Sequence, residues 1–309
     1  MLRWQGVLVL NYHRIGDGRA SFFDRGLWSA TADGFDRQLT LLKQHCEVVT
    51  PRDLTGIVAG RRGRFAMVTF DDGYRDNYEV AFPILNAHHL TATFFVTTGL
   101  IDRPRLAWWD EIAWRVRTSP RSELPANRWL DRLIVMDEPD RERAVRAMLR
   151  VYKSLPGHDA GAFLGELATL TDTGPFAGDS ASLWMTWDML REMRAAGMTV
   201  GGHTAHHPVL SRLSPAEQDA EIAECRRRIE AEVGGPMQYF SYPVGGRSAF
   251  NDDTRRCLAS HAVELAFSYY GSFYRHARWD PHDVPRVAIE QCTTEQEFLN
   301  LLAFPRVFA

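Results

Sequence analysis

Short apolar runs that break off at polar or charged residues recur along this chain, separated by stretches of helical periodicity, and this pattern limits the folds open to it. Val7 to Leu10 runs into Asn11, Tyr12 and His13; Phe65 to Phe70 stops at Asp71-Asp72-Gly73; Met198 to Gly201 leads directly into His203. Cys46 to Val49, Ala92 to Val96, Tyr239 to Tyr242, Glu264 to Ser268 and Val284 to Ile289 complete a set of about eight candidate strands. Unbroken apolar runs of this kind suit strands covered on both faces, as in a parallel sheet.

The intervening segments read as helices. Phe35, Leu39 and Leu42 recur at helical spacing, a helix is expected from Tyr74 to His89, and another from Trp187 to Ala196 stops at Gly197. Ser214-Pro215-Ala216-Glu217 is a capping box with proline at the first helical position. The helix it opens carries Ile222, Cys225, Ile229 and Val233 on its apolar face and stops at Gly234-Gly235. Strands alternating with helices predict an α/β fold with a parallel sheet and crossover helices, and their number suggests a (β/α) barrel rather than an open sheet. In such barrels the chemistry sits where strands end. His13, Asp71, Asp72, His203 to His207, Tyr242 and Arg286 all fall at such ends.

Residues 100–183 break the rhythm. The segment opens with Trp108, Trp109 and Trp114, continues through an arginine-rich helical middle and ends rich in Gly, Pro and Asp. It is expected to be a helical insertion or lid packed on the barrel within a single domain spanning 1–309.

Composition narrows the function classes. With 45% hydrophobic and 24% charged residues, the chain can bury a substantial core. A formal net charge of -3 gives no electrostatic reason to expect nucleic acid or an anionic membrane as partner. Cys46, Cys225, Cys257 and Cys292 form no C-x-x-C pair, which argues against a zinc knuckle or a disulfide framework and for free thiols in a reducing compartment. Only Val7 to Leu10 run together near the start, too few for a signal peptide, and no stretch reaches membrane-spanning length. A cytoplasmic address is therefore expected. The sequence carries no signal for the oligomeric state.

Two constellations carry chemistry. Adjacent carboxylates at a strand end, Asp71 and Asp72, raise one another's pKa unless a cation binds one and leaves the other as a base. Three of the chain's 11 histidines fall in His203-Thr204-Ala205-His206-His207. Imidazoles four residues apart can share one face of a helical turn and chelate an ion, with His203 and His206 as an alternative pair. Alone, either motif has a plain reading, a surface turn or a polar loop. Together, one carboxylate and two imidazoles make a facial triad suited to a divalent metal ion: Zn²⁺ first, with Co²⁺, Ni²⁺, Mn²⁺ or Fe²⁺ as alternatives. Such an ion lowers the pKa of water from about 16 toward 7 and polarises a carbonyl, which amide hydrolysis requires.

Thr69-Phe70-Asp71-Asp72-Gly73 followed much later by His203-Thr204-x-x-His207 resembles the polysaccharide deacetylase family (carbohydrate esterase family four), whose members carry the chitooligosaccharide-deacetylase homology domain. The resemblance runs from Val7 to Ile289, interrupted by the insertion. It implies a distorted or incomplete (β/α) barrel with a helical insertion. It also implies Asp71 as general base, and Asp72, His203 and His207 as metal ligands. Phe240-Ser241-Tyr242-Pro243-Val244-Gly245 resembles the family's aromatic-Pro-x-Gly loop, so the Tyr242 N–H would help hold the tetrahedral oxyanion.

The last strand, Val284-Pro285-Arg286-Val287-Ala288-Ile289-Glu290, lacks the late histidine that serves many relatives as general acid. It resembles instead a subgroup that opens with Tyr-His-Arg and closes with Pro-Arg. His13 is then a candidate acid or substrate contact, or a histidine capping a strand; His276 and His282 are further candidates. Arg286 would orient Asp71 or serve as a structural ion-pair partner. Trp108, Trp109, Trp279 and Tyr74 could stack on sugar rings, although core packing is the commoner fate of such aromatics.

The resemblance implies a metal-dependent hydrolase that removes N-acetyl groups from an N-acetylated glycan, amino sugar or polysaccharide and releases acetate. Two alternatives keep the same scaffold. One is a deacetylase or deformylase of a lipid-linked or small sugar derivative; the other is a non-catalytic carbohydrate-binding protein.

Overall fold

Along the first strand Val7 and Val9 belong to one apolar cluster and Leu8, Leu10 and Tyr12 to another, the alternation of a strand buried on both faces. The computed structural model describes residues 4–136, 141–271 and 279–308. Eight strands form one parallel sheet: β1 (Gly6–Tyr12), β2 (Glu47–Val48), β3 (Arg64–Phe70), β4 (Thr93–Val96), β5 (Thr199–Gly202), β6 (Tyr239–Ser241), β7 (Leu265–Phe267) and β8 (Val287–Ala288). Their order is β7-β6-β5-β4-β3-β1-β8, with β2 paired to β3 off this path. β1 and β3 pair along their full length, from Gly6 opposite Arg64 to Tyr12 opposite Phe70.

The sheet curls. Val7, Val9, Phe65, Met67, Phe95, Tyr239, Leu265, Phe267 and Val284 share an inner cluster, which Val49, Leu54 and Ile57 join. The alternate residues, among them Leu8, Leu10, Val68, Phe70, Phe94, Phe240 and Ala266, pack in the outer cluster with the helices. Full burial of each large apolar side chain contributes about 1.5–3 kcal/mol.

A parallel bridge between Phe267 and Val284 links the β7 edge toward β8, which pairs with β1 at Leu10 and Asn11. The result is an incomplete (β/α) barrel. The strand expected from Val284 to Ile289 is thus cut to a bridge and the two residues of β8. Pro285 lies between them and has no N–H to give a ladder.

Several helices follow the sequence closely. Ala32–His45 buries Phe35, Leu39 and Leu42, and Thr31 caps it by accepting from the Gly34 amide. Pro215–Glu232 opens with the reciprocal Ser214–Glu217 box and buries Ile222, Cys225 and Ile229. Trp187–Ala195 precedes Gly197, whose φ of 93° ends the turn. The helix expected from Tyr74 starts later. Tyr74 bridges to Trp184, Asn77–Ala81 forms a π-helical turn, and an α-helix spans Phe82–Ala87. Pro83 cannot donate to the carbonyl four residues back, and the turn before it widens so that the Phe82 amide reaches Asn77.

By contacts the chain divides into two compact units. One comprises Met1–Asp17, Gly26–Pro104 and Ala181–Ala309 and holds the barrel. The other comprises Gly18–Arg25 and Arg105–Ser180, with helices Trp108–Thr118, Glu142–Ser154 and Ala160–Thr171 and a short antiparallel pair, Glu123–Leu124 with Ile134–Val135. Within it Trp108 stacks on Tyr152, ring centroids 4.2 Å apart. Among the described residues, no helix is long and apolar enough to cross a membrane.

Candidate active site

The parallel ladders deliver polar side chains at their carboxy-terminal ends. The Asp71 amide donates to the Tyr12 carbonyl at 3.0 Å, extending β3 by one residue. Asp72 and Gly73 then adopt left-handed conformations, φ 76° and 91°, that swing the chain away. The Asp72 carbonyl is held by the Thr97 amide at 3.2 Å. On β5, the His203 amide donates to Val96 at 3.0 Å. Beyond it Thr204 (φ 65°) and His207 (φ 59°) are also left-handed, and the Thr204 hydroxyl accepts from the His207 amide at 2.8 Å. Non-glycine residues seldom adopt this conformation, yet three of them lie in these two loops. The helical turn expected for His203 to His207 is not formed: this is a looped bend, made by those left-handed residues, that brings the two imidazoles together.

They meet at Asp72. Its Oδ1 lies 3.5 Å from His203 Nε2 and 3.4 Å from His207 Nε2, and the two ring nitrogens are 3.1 Å apart. All three side chains are buried, and their candidate ligand atoms lie within 4.8 Å of one another. His203 Nδ1 sits 2.7 Å from the Ser241 carbonyl. A carbonyl only accepts, so Nδ1 carries the proton and Nε2 presents a lone pair. Lone pairs from two imidazoles and a carboxylate turned on one another repel unless a cation or proton lies between them. The donor set therefore fits a divalent ion. Burial, and then the charge of His203, push the His207 pKa down to about 3. At His203 burial opposes protonation, but Asp71 and Asp72 outweigh it and the pKa is raised. His206, the alternative partner, is exposed and turned to Glu221, 2.8 Å from its Nδ1.

Asp71 stands beside this group, with Oδ2 4.0 Å from His203 Nε2. Fully buried Arg286 grips it: Nη1 donates to Oδ1 at 2.8 Å and Nη2 to Oδ2 at 2.7 Å. Burial alone would raise the Asp71 pKa, but the charges of Arg286 and His203 prevail and hold its carboxyl well below the usual range. Arg286 also donates to Asn11 Oδ1 at 2.6 Å, the Ser241 hydroxyl at 2.7 Å and the Ser268 carbonyl at 3.1 Å. Asn11 and Ser241 donate to Asp71 Oδ2 at 3.3 and 3.2 Å. Asn11 closes the first apolar run and Thr69 and Ser241 stand inside the motifs, but nothing in the sequence gives these three side chains a role at Asp71 and Arg286. The signal available was their position at the ends of β1, β3 and β6.

His13 follows β1 directly and is half-buried. Its amide donates to the Ser29 hydroxyl at 3.0 Å, and its carbonyl accepts from Asn77 at 2.7 Å. Its ring meets Tyr269 edge-on, 5.7 Å between centroids, and its charge helps lower the pKa of both Asp71 and Asp72.

Tyr242 occupies the expected loop, but its amide donates to the Phe267 carbonyl at 3.1 Å and continues the β6–β7 ladder. The expected oxyanion donor is thus already engaged. Its hydroxyl donates to the His282 carbonyl at 2.7 Å and its ring stacks on Phe250 at 3.9 Å, so the side chain packs the core. Pro243 has no N–H, so the next amide along the loop is that of Val244, itself left-handed at φ 63°.

The remaining candidates are engaged in other contacts. His282 Nε2 is 2.9 Å from the Val263 carbonyl, and His276 lies outside the described residues. Tyr74 is buried against Trp184 and the Arg14 guanidinium, Trp108 and Trp109 are buried in the second unit, and Trp279 packs on the inner cluster.

The profile of a family described as polysaccharide deacetylase matches residues 59–266. A Streptococcus pyogenes deacetylase, PplD, in complex with acetate is similar in structure, with a TM-score of 0.64, 18% identity, and 96% of this chain and 97% of that one covered. IcaB from Ammonifex degensii gives a TM-score of 0.62 at 20% identity, covering 99% of each chain. A de-N-acetylase from Aggregatibacter actinomycetemcomitans gives 0.62 at 15%, covering 97% of this chain and 100% of that one. Identities this low establish a shared fold. YxkH of Bacillus subtilis is 19% identical over 199 residues, 64% of this chain; the chain spans 42% of that curated relative's length.

Proposed function

The chain belongs to the polysaccharide deacetylase family, and from that premise we propose that it is a metal-dependent hydrolase that removes N-acetyl groups from an N-acetylated sugar or glycan. The observation that carries this reading is the convergence of Asp72 Oδ1, His203 Nε2 and His207 Nε2 within 4.8 Å, beside a separately anchored Asp71. Bound by those three atoms, a divalent ion, with Zn²⁺ the first choice for this donor set, would supply Lewis acidity that acidifies water and polarises the acetamide carbonyl.

The chain's own groups divide the remaining work. Asp71 Oδ2, the oxygen on the His203 side, takes the proton of the attacking water. Arg286 keeps that carboxylate ionised and fixes its plane. The Val244 N–H, next along the loop from the engaged Tyr242 amide, is the oxyanion donor in this reading. His13 returns a proton to the departing amine. As the C–N bond breaks, water's hydroxyl becomes part of acetate and the sugar leaves as a free amine.

Zinc-loaded protein incubated with N-acetylglucosamine oligomers should release acetate, and Asp71→Asn should lower that rate by about 10²–10⁴-fold, the usual contribution of a general base. Equal acetate release by the wild type and Asp71→Asn would refute the assignment of the base.

A further inference from the structure

One residue touches both halves of this site, and nothing in the sequence motifs singles it out. Ser241 is the last residue of β6 and is fully buried. Its carbonyl accepts from His203 Nδ1 at 2.7 Å. Its hydroxyl accepts from Arg286 Nη2 at 2.7 Å and donates to Asp71 Oδ2 at 3.2 Å. Backbone and side chain therefore serve different partners.

We propose that Ser241 is a positioning residue that holds His203 through its backbone and Asp71 through its hydroxyl, so that the end of β6 sets the spacing between candidate ligand and candidate base. The inference rests on the reading of Asp71 and His203 given above. The two contacts are chemically separable. Parallel pairing of β6 with β5 at Phe240–Gly202 and with β7 at Ser241–Phe267 holds the carbonyl in place whatever side chain is present. The hydroxyl is the only part that a substitution removes. Without it Asp71 Oδ2 keeps the Arg286 and Asn11 donors but loses the third, and Arg286 Nη2 loses an acceptor.

The test compares wild type, Ser241→Ala and Ser241→Thr, each checked for cooperative unfolding. In Ser241→Ala the ¹³C carboxyl resonance of Asp71 in metal-free protein should shift. Zinc affinity, measured by competition with a chromophoric chelator, should stay within about threefold. Long-range ¹H–¹⁵N spectra should keep His203 in its Nδ1–H form. For acetate release, kcat should fall about 10–100-fold with KM nearly unchanged, the usual effect of removing a group behind the reacting ones. Ser241→Thr, which retains a hydroxyl, should restore the resonance and most of kcat.

An unchanged Asp71 resonance in Ser241→Ala, or a loss of zinc affinity as large as the loss of kcat, would overturn the proposal. If the wild type releases no acetate from any N-acetylated sugar, the functional reading fails by itself. The carboxyl resonance and zinc affinity then still decide whether Ser241 positions the two groups independently.

Discussion

Arg286 and Asp71 form a two-pronged ion pair, with parallel hydrogen bonds of 2.8 and 2.7 Å, beneath the carboxy-terminal ends of β1, β3 and β6. Both partners are buried. Such a pair is worth less than its Coulomb attraction suggests, because both ions were taken from water, but breaking it is costly.

Replacing Arg286 by Met leaves Asp71 charged and uncompensated in the interior, which should cost about 3–5 kcal/mol. Arg286→Lys should recover little of this, since an ammonium cannot reproduce the planar two-pronged grip. Urea unfolding of the three proteins measures both effects, and a lysine variant as stable as wild type would contradict the geometric argument.

The same pair sets an acid limit. Asp71 has a folded-state pKa below its unfolded value, so its contribution is fully present above pH ~4 and is lost as pH falls from there toward the folded value. In that window the unfolded chain binds the extra proton. Metal-free wild type should lose stability faster than the Asp71→Leu/Arg286→Met double variant, by about 1.4 kcal/mol per pH unit. Urea midpoints between pH 2.5 and 7 would show it, and parallel curves would not support the pair's role.

Metal binding should be visible without any substrate. Zinc at about 100 times its dissociation constant should stabilise the chain by about 2.7 kcal/mol, and a chelator should reverse this. Asp72→Ala and His207→Ala should each abolish the response, whereas His206→Ala should keep it, because His206 faces Glu221. A thermal shift assay with stoichiometric zinc titration separates these outcomes.

Gly201 gives a test of how the scaffold places His203. A Cβ there would lie 2.8 Å from the Tyr239 carbonyl and 2.6 Å from the Phe95 ring, so β5 could not stay in register with β6 without displacement. Gly201→Ala should cost about 1–3 kcal/mol, as overpacking does. It should also weaken zinc binding, since β5 runs directly into His203. Calorimetry of both quantities checks the coupling.

Much of this architecture could be read from the residues. The run from Phe65 to Phe70 ends where β3 ends, and the Ser214 capping box opens the helix it forecasts. These features are local, set by side chains a few positions apart. What escaped the reading depends on chain segments far apart in sequence. The engagement of the Tyr242 amide depends on Phe267, and the looped rather than helical form of the His203–His207 bend depends on left-handed residues that no periodicity encodes. The role of Ser241, a residue inside the quoted loop motif, was hidden for a related reason: a serine at a strand end has no chemistry until Asp71 and Arg286 arrive from elsewhere. The shortened last strand was foreseeable, because Pro285 was in plain view.

The left-handed residues around the triad carry a further consequence. Asp72, Thr204 and His207 each hold a conformation that costs a side-chain-bearing residue about 1–2 kcal/mol. Glycine would relieve that cost, yet at Asp72 and His207 it would delete a donor atom. Of the three only Thr204 could change without emptying the coordination set, and its hydroxyl already steadies the His207 amide. Variants selected for heat resistance alone would thus drift toward a calmer backbone and a duller site.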